Sequence, residues 1–139
     1  MAALAAYSAL VLIWGGQFRL TWLQTAGGVV AALGAIQMMA SVRRLGSQTT
    51  PFPEPVANGA LVGEGIYGLA RHPMYGAVLM IAIGLAMLIA SAAAVAAWPA
   101  LTWFFVRKAR HEELRLLLAY PGYVAYRRHV RPRFVPWLV

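Results

Sequence analysis

The chain has 139 residues, of which 61% are hydrophobic and 12% charged, about half the charged share of an ordinary soluble domain. With no cysteine, disulfides, thiolate metal sites and cysteine nucleophiles are excluded, and no metal is expected. The net charge of +8 is concentrated rather than spread, because eight of the twelve Lys and Arg residues follow Val106. Charge gathered at a membrane exit reads as the positive-inside bias and attraction to anionic lipid, so no nucleic-acid partner is expected.

Residues 1–18, 20–42 and 74–106 contain no charge at all. In hydrocarbon every backbone group must pair internally, so such runs become helices. The predicted fold is an all-α polytopic membrane protein of about four transmembrane helices with a cytoplasmic C-terminal helical extension. It forms one domain over 1–139. Two helices occupy 1–45, a cytoplasmic loop 46–72, a helical hairpin with a cytosolic extension 73–119, and a C-terminal cap 120–139.

The first span is expected over 2–18. It lacks a basic leader and the next apolar run follows after Arg19 alone, so it reads as a retained helix and not a cleaved signal. The second is expected over 21–42, antiparallel to the first because the link is so short. Gly27, Ala31 and Ala35, with Gly28 and Ala32 beside them, form a row of small residues suited to close packing in lipid. Arg43 and Arg44 end this helix. A loop over 47–65 follows, marked by Pro51, Pro53, Pro55 and the Asn58-Gly59 turn signal.

The run 74–106 holds 33 residues, too many for one span of ~20 and too few for two with a turn. A tight hairpin near Ser91 resolves this if both helices extend beyond the uncharged part. Pro73 suits the first turn of the leading helix. The returning helix runs past Val106 to about Leu118, with Pro99 inside it. Both termini on the cytoplasmic side leaves eleven of the twelve basic residues inside and only Arg19 outside, a strong orientation signal.

Three polar clusters fall at the inner membrane border. These are Tyr67 with Arg71-His72-Pro73-Met74-Tyr75, then Arg110-His111-Glu112-Glu113, then Tyr120 to Arg127. The hairpin places the first two at one level, and the tail can fold over them. A helix starting at Pro73 presents free N–H groups and its positive dipole end, beside Arg71 and His72, a setting for a carboxylate or phosphate. Glu113 shares an apolar stripe with Val106, Ala109, Leu116, Leu117 and Tyr120, so it needs a buried partner such as Arg71 or Arg110. Glu112 falls instead with Lys108 and Arg115, where surface pairing would satisfy it. Tyr67, Tyr75, Tyr123 and Tyr126 read either as interfacial aromatics or as the lining of a pocket, and Trp98 and Trp103 as interfacial belt residues.

In this order, Gly65-x-Tyr67, Arg71-His72-Pro73-x-Tyr75, Glu112-Glu113-x-x-Leu116 and Tyr123-x-x-Tyr126, before Val130 and Pro136, closely resemble the isoprenylcysteine carboxyl methyltransferase and phospholipid methyltransferase superfamily. The resemblance covers 61–138. It implies S-adenosylmethionine as cofactor, with S-adenosylhomocysteine as product, bound under the C-terminal segment. By that resemblance Arg71, His72 and Pro73 would hold the methionine end, and Glu112 or Glu113 the ribose hydroxyls or amino group. Tyr67, Tyr75, Tyr123 and Tyr126 would shape the pocket, and Arg127 would close it or receive the substrate. Two positions depart from the family. Gly-Ile-Tyr-Gly stands at 65–68 where Gly-Pro-Tyr-Arg is common, and Ala77 stands where a glycine is usual, with Gly76 before it.

The implied function is methyl transfer to a hydrophobic or lipid-like acceptor, with membrane lipids as partners; without a targeting segment or cysteine, the membrane expected is a bacterial inner membrane. No residue chooses among O-, N- and S-acceptors, and nothing sets an oligomeric state. Two other readings remain open: a related NADPH-dependent membrane reductase, and a non-enzymatic small membrane protein that binds lipid or a partner.

Overall fold

A computed structural model describes residues 21–46 and 61–135. The first expected span, residues 47–60 of the loop and Pro136 lie outside the described residues. The described elements are helical: α1 (Thr21–Leu45), a single 3₁₀ turn (Gly65–Gly68), α2 (Pro73–Leu88), α3 (Ala92–Ala119) and α4 (Tyr123–His129). Among the described residues one helix, Trp22–Leu45, is long and apolar enough to cross a membrane. The apolar helix Pro73–Leu88 is shorter.

α1 packs along the whole of α2, and small residues make that possible. A Cβ on Gly27 would lie 2.6 Å from the Gly84 carbonyl oxygen, and one on Gly84 2.5 Å from the Ala31 nitrogen. Gly34 meets Ala77 and Ile81 in the same way. The contact row is therefore Gly27, Ala31 and Gly34. The predicted row strays at its end, because Ala32 and Ala35 face outward. Backbones at this separation gain dispersion contacts that lipid cannot supply.

Pro73 occupies the first position of α2, where its missing N–H is harmless. The helix ends in a tight reversal: Ala90 takes a left-handed φ of 50°, and Ser91 donates its N–H to the Ala86 carbonyl at 3.0 Å. The Ser91 hydroxyl then caps α3 by accepting from the Ala94 N–H at 3.3 Å. The hairpin thus turns where the length of the uncharged run places it. Trp98, expected as a belt aromatic, instead pins the hairpin by donating its indole N–H to the Leu79 carbonyl at 2.9 Å. α3 accommodates Pro99 and continues to Ala119, so its second half carries four of the eight basic residues that follow Val106, with Glu112 and Glu113.

After α4 the chain returns as an extended strap. Its carbonyls at Pro132 and Arg133 accept the backbone N–H groups of Arg71 (3.0 Å) and His72 (2.7 Å). The strap thus takes up the two amides that lead into α2, a contact that the sequence does not suggest.

Candidate active site at the start of α2

The site is built where α2 begins, where α3 passes the same level, and where the strap crosses both. Glu113 is its centre. It sits on the inward face of α3 and is 3% exposed, as its apolar stripe requires. One oxygen, Oε1, receives Arg71 Nε at 3.1 Å, His72 Nε2 at 3.3 Å and Arg133 Nε at 3.3 Å. The other, Oε2, has among the described residues only Arg127 Nε at 3.8 Å, beyond hydrogen-bond reach. Arg110, the alternative partner by spacing, is exposed.

Burial by itself pushes the Glu113 carboxyl up. The hydrogen bond with His72 and the charges of Arg71 and Arg133 outweigh it and hold the group at about 2. Such an arrangement stabilises only while it is complete. A buried charge that loses its partner costs several kcal/mol, on the order of 3–5.

Glu112 turns inward, where the sequence reading puts it at the surface. Its Oε2 accepts the Tyr75 hydroxyl at 2.7 Å and stands 3.6 Å from His72 Nδ1. The His72 ring, 6% exposed, is thus set between two consecutive glutamates, one on each nitrogen. It also stacks on Tyr75, with ring centroids 5.4 Å apart and planes 3° from parallel. Lys108, expected beside Glu112 on the surface, places its ammonium 5.2 Å from the centre of the Tyr75 ring, a cation–π distance.

The remaining tyrosines form a second layer. Tyr126 donates its hydroxyl to the Tyr67 carbonyl at 2.6 Å, tying α4 to the 3₁₀ turn. That turn forms without a proline: Gly65 supplies a φ of 61°, and Tyr67 and Leu69 donate to Glu64 and Ile66. Burial and the charge of Glu112 push the Tyr67 phenol up to about 12. Tyr123 is 1% exposed, and its hydroxyl has no hydrogen-bond partner. Burial raises its pKa and the charge of Glu113 raises it further, while Arg71 opposes. Nearly all buried hydroxyls are paired, so this orphan asks for an explanation.

The structure therefore brings together Tyr67, Arg71, His72, Pro73, Tyr75, Glu112, Glu113, Tyr123 and Tyr126, with half-exposed Arg127 at the rim. It adds residues that sequence reasoning missed. Arg133 was one basic residue among several, with no distinguishing spacing. Phe134 contributes a backbone carbonyl, which no side-chain pattern announces. Gln37 is different: an amide near the middle of an apolar span was a legible signal. Its Nε2 donates to the Pro73 carbonyl at 2.8 Å and the Phe134 carbonyl at 3.1 Å. The glycine displaced by one place also has its reason, since a Cβ on Gly76 would lie 2.1 Å from the Phe134 oxygen. The strap needs Gly76, and Ala77 fits against Gly34.

A family model described as phospholipid methyltransferase matches residues 22–121. The chain belongs to the phospholipid methyltransferase family. The match runs from α1 through α3 and stops before α4 and the strap, so Tyr123, Tyr126, Arg127 and Arg133 lie beyond it. The fold is similar to a solved structure of the eukaryotic intramembrane Ras methyltransferase, an isoprenylcysteine carboxyl methyltransferase. The TM-score is 0.80 at 23% identity, over 98% of this chain and 51% of the other. The chain spans about half the length of that enzyme, and at this identity the likeness speaks for the fold alone. No curated protein matches the chain by sequence. Family and fold together indicate a membrane methyltransferase type.

Proposed function

We propose that the protein is an S-adenosylmethionine-dependent methyltransferase that acts on a hydrophobic or lipid-like acceptor at the cytoplasmic face of the membrane. Family membership supports the reaction class. The observation that carries the assignment to this site is Glu113: a buried carboxylate with one saturated oxygen and one that has no hydrogen bond among the described residues. The orphan hydroxyl of Tyr123 lies in the same electrostatic neighbourhood. A buried hydroxyl without a partner costs about 1–3 kcal/mol, which a ligand bonding to it recovers.

The residues fit the cofactor's chemistry. Its amino acid end and ribose diol need acceptors and donors together in a dry place. Arg71 and His72 are suited to the carboxylate; Glu112 and Glu113 to the ammonium or the diol. Tyr67, Tyr75, Tyr123 and Tyr126 form walls, and Arg127 stands on the substrate side. When bound, S-adenosylmethionine supplies an electrophilic methyl group whose departing thioether needs no proton. The protein's own work is then to align the acceptor and exclude water. A site without a catalytic triad suits that demand. The basic inner segments support a topology with both termini on the cytoplasmic side, and the membrane we propose is a bacterial inner membrane.

Calorimetry of the detergent-purified protein tests the assignment. S-adenosylhomocysteine should bind, and Glu113→Gln and His72→Ala variants that still fold should lose it. Absence of binding up to millimolar concentration overturns the proposal, and binding of NADPH instead would favour the reductase. Methyl-labelled cofactor supplied with a total lipid extract then identifies the acceptor by what becomes labelled.

A further inference from the structure

We propose that Gln37 is a positioning residue: from inside α1, its amide clamps the C-terminal strap onto the first turn of α2 and so fixes where Arg133 meets Glu113.

A glutamine amide carries two N–H donors. In Gln37 both are used across long stretches of chain, one on the Pro73 carbonyl 36 residues away and one on the Phe134 carbonyl 97 residues away. One side chain thus joins three segments: the apolar helix α1, the helix whose start carries Arg71 and His72, and the strap that carries Arg133. Gly76 makes the junction possible. A Cβ there would lie 2.1 Å from the Phe134 oxygen and 2.9 Å from Gln37 Nε2.

The consequence runs outward from this clamp. With Phe134 held, the preceding carbonyls of Pro132 and Arg133 are in register to receive the N–H groups of Arg71 and His72. The Arg133 side chain then reaches Glu113 Oε1 at 3.3 Å. Arg71 is tied to the strap a second time, through its guanidinium on the Val130 carbonyl at 3.1 Å. Gln37 touches neither glutamate. Its influence on them passes through the strap.

An amide inside an apolar helix is costly when unpaired, and so is a strap carbonyl facing that helix. Deleting the donors therefore releases the strap rather than leaving it in place. The clamp itself is independent of what the site binds; only its effect on cofactor affinity rests on the methyltransferase reading.

Two variants reach the junction from opposite sides. Gln37→Met keeps the volume and removes both donors, while Gly76→Ala pushes the Phe134 carbonyl away. Ile36→Ala, on the exposed face of α1, serves as the control. Hydrogen exchange by NMR of the detergent-solubilised full chain is expected to speed up at the Arg71 and His72 amides by about tenfold or more in both variants. That is roughly the worth of one to two hydrogen bonds. Exchange in the middle of α2 should stay as in wild type, and the control should change neither. S-adenosylhomocysteine affinity should weaken about tenfold in the same two variants. Unchanged exchange at Arg71 and His72 overturns the clamp, and so does acceleration spread evenly through α2, which would make Gln37 a general packing residue. Local acceleration with unchanged affinity overturns its influence on the site. If wild type binds no S-adenosylhomocysteine, the methyltransferase reading fails, and the exchange measurement decides the clamp alone.

Discussion

Tyr75 donates its hydroxyl to Glu112 at 2.7 Å, which turns toward the site a glutamate that helical spacing assigns to the surface. Tyr75 stands on the first turn of α2 and Glu112 on α3, so the bond also joins the two arms of the hairpin at the level of the site. Together they fix the plane in which the His72 ring lies, since Tyr75 stacks on that ring and Glu112 faces its Nδ1.

If Tyr75 acts through Glu112, the two substitutions must share one effect. Tyr75→Phe and Glu112→Gln are each expected to weaken S-adenosylhomocysteine binding about tenfold, the worth of a hydrogen bond to a charged group. The double variant should be little worse than either single one. A thermodynamic cycle by calorimetry checks this. Fully additive losses would mean that the residues contribute independently.

Arg71 and Glu113 are the most deeply buried pair of an arginine with a carboxylate among the described residues, with side chains 9% and 4% exposed. Arg71→Met should therefore destabilise the fold by up to about 3 kcal/mol, because it takes from a buried carboxylate the most buried of its arginine partners. Arg127→Met, at 47% exposure, should cost less than about 1 kcal/mol. Thermal unfolding in detergent ranks the two. Equal losses would contradict the asymmetry of the network.

The same carboxylate gives the fold an acid limit. Glu113 is held at about 2 against an ordinary 4.5, a depressed acid. Its contribution is fully present above pH 4.5 and is lost as pH falls through 2. At about 1.4 kcal/mol per unit, this amounts to roughly 3 kcal/mol. Arg71, Arg133 and Arg127 keep their charge throughout that window. Stability followed by denaturant titration should decline between these pH values in wild type, and the decline should be much smaller in Glu113→Gln.

Two adjacent glycines in α1 should respond oppositely to alanine. A Cβ on Gly27 meets Gly84 and Leu88 backbone atoms at 2.6 and 2.7 Å, whereas one on Gly28 meets only a Leu88 methyl at 3.7 Å. Gly27→Ala should cost about 1–3 kcal/mol through forced separation of the helices. Gly28→Ala should be neutral or gain up to about 1 kcal/mol from helix propensity. Unfolding of the two variants side by side settles the direction of packing on α1.

The readable parts of this molecule were those set by counting and periodicity. The length of the uncharged run implied a hairpin, and the structure reverses at Ala90-Ser91. The stripe through Ala109 and Glu113 implied burial, and both are buried. That Arg71, His72 and Glu113 meet followed from the hairpin's two arms sharing a level. What escaped were contacts made by backbone carbonyls and by residues whose type carries no pattern. The strap's Pro132, Arg133 and Phe134 carbonyls have no sequence signature, so the strap's hold on the segment leading into α2 was not legible. Glu112 escaped for another reason. A one-dimensional stripe assigns it to the flank of α3, yet from that flank its side chain can still reach Tyr75.

The bond from Gln37 to Phe134 spans 97 positions, and that distance along the chain has a consequence for biosynthesis. During translation α1, α2 and α3 are all synthesised before residue 134. The donor on α1 therefore waits for its acceptor, and the junction of α1, α2 and the strap cannot close until that residue has been added.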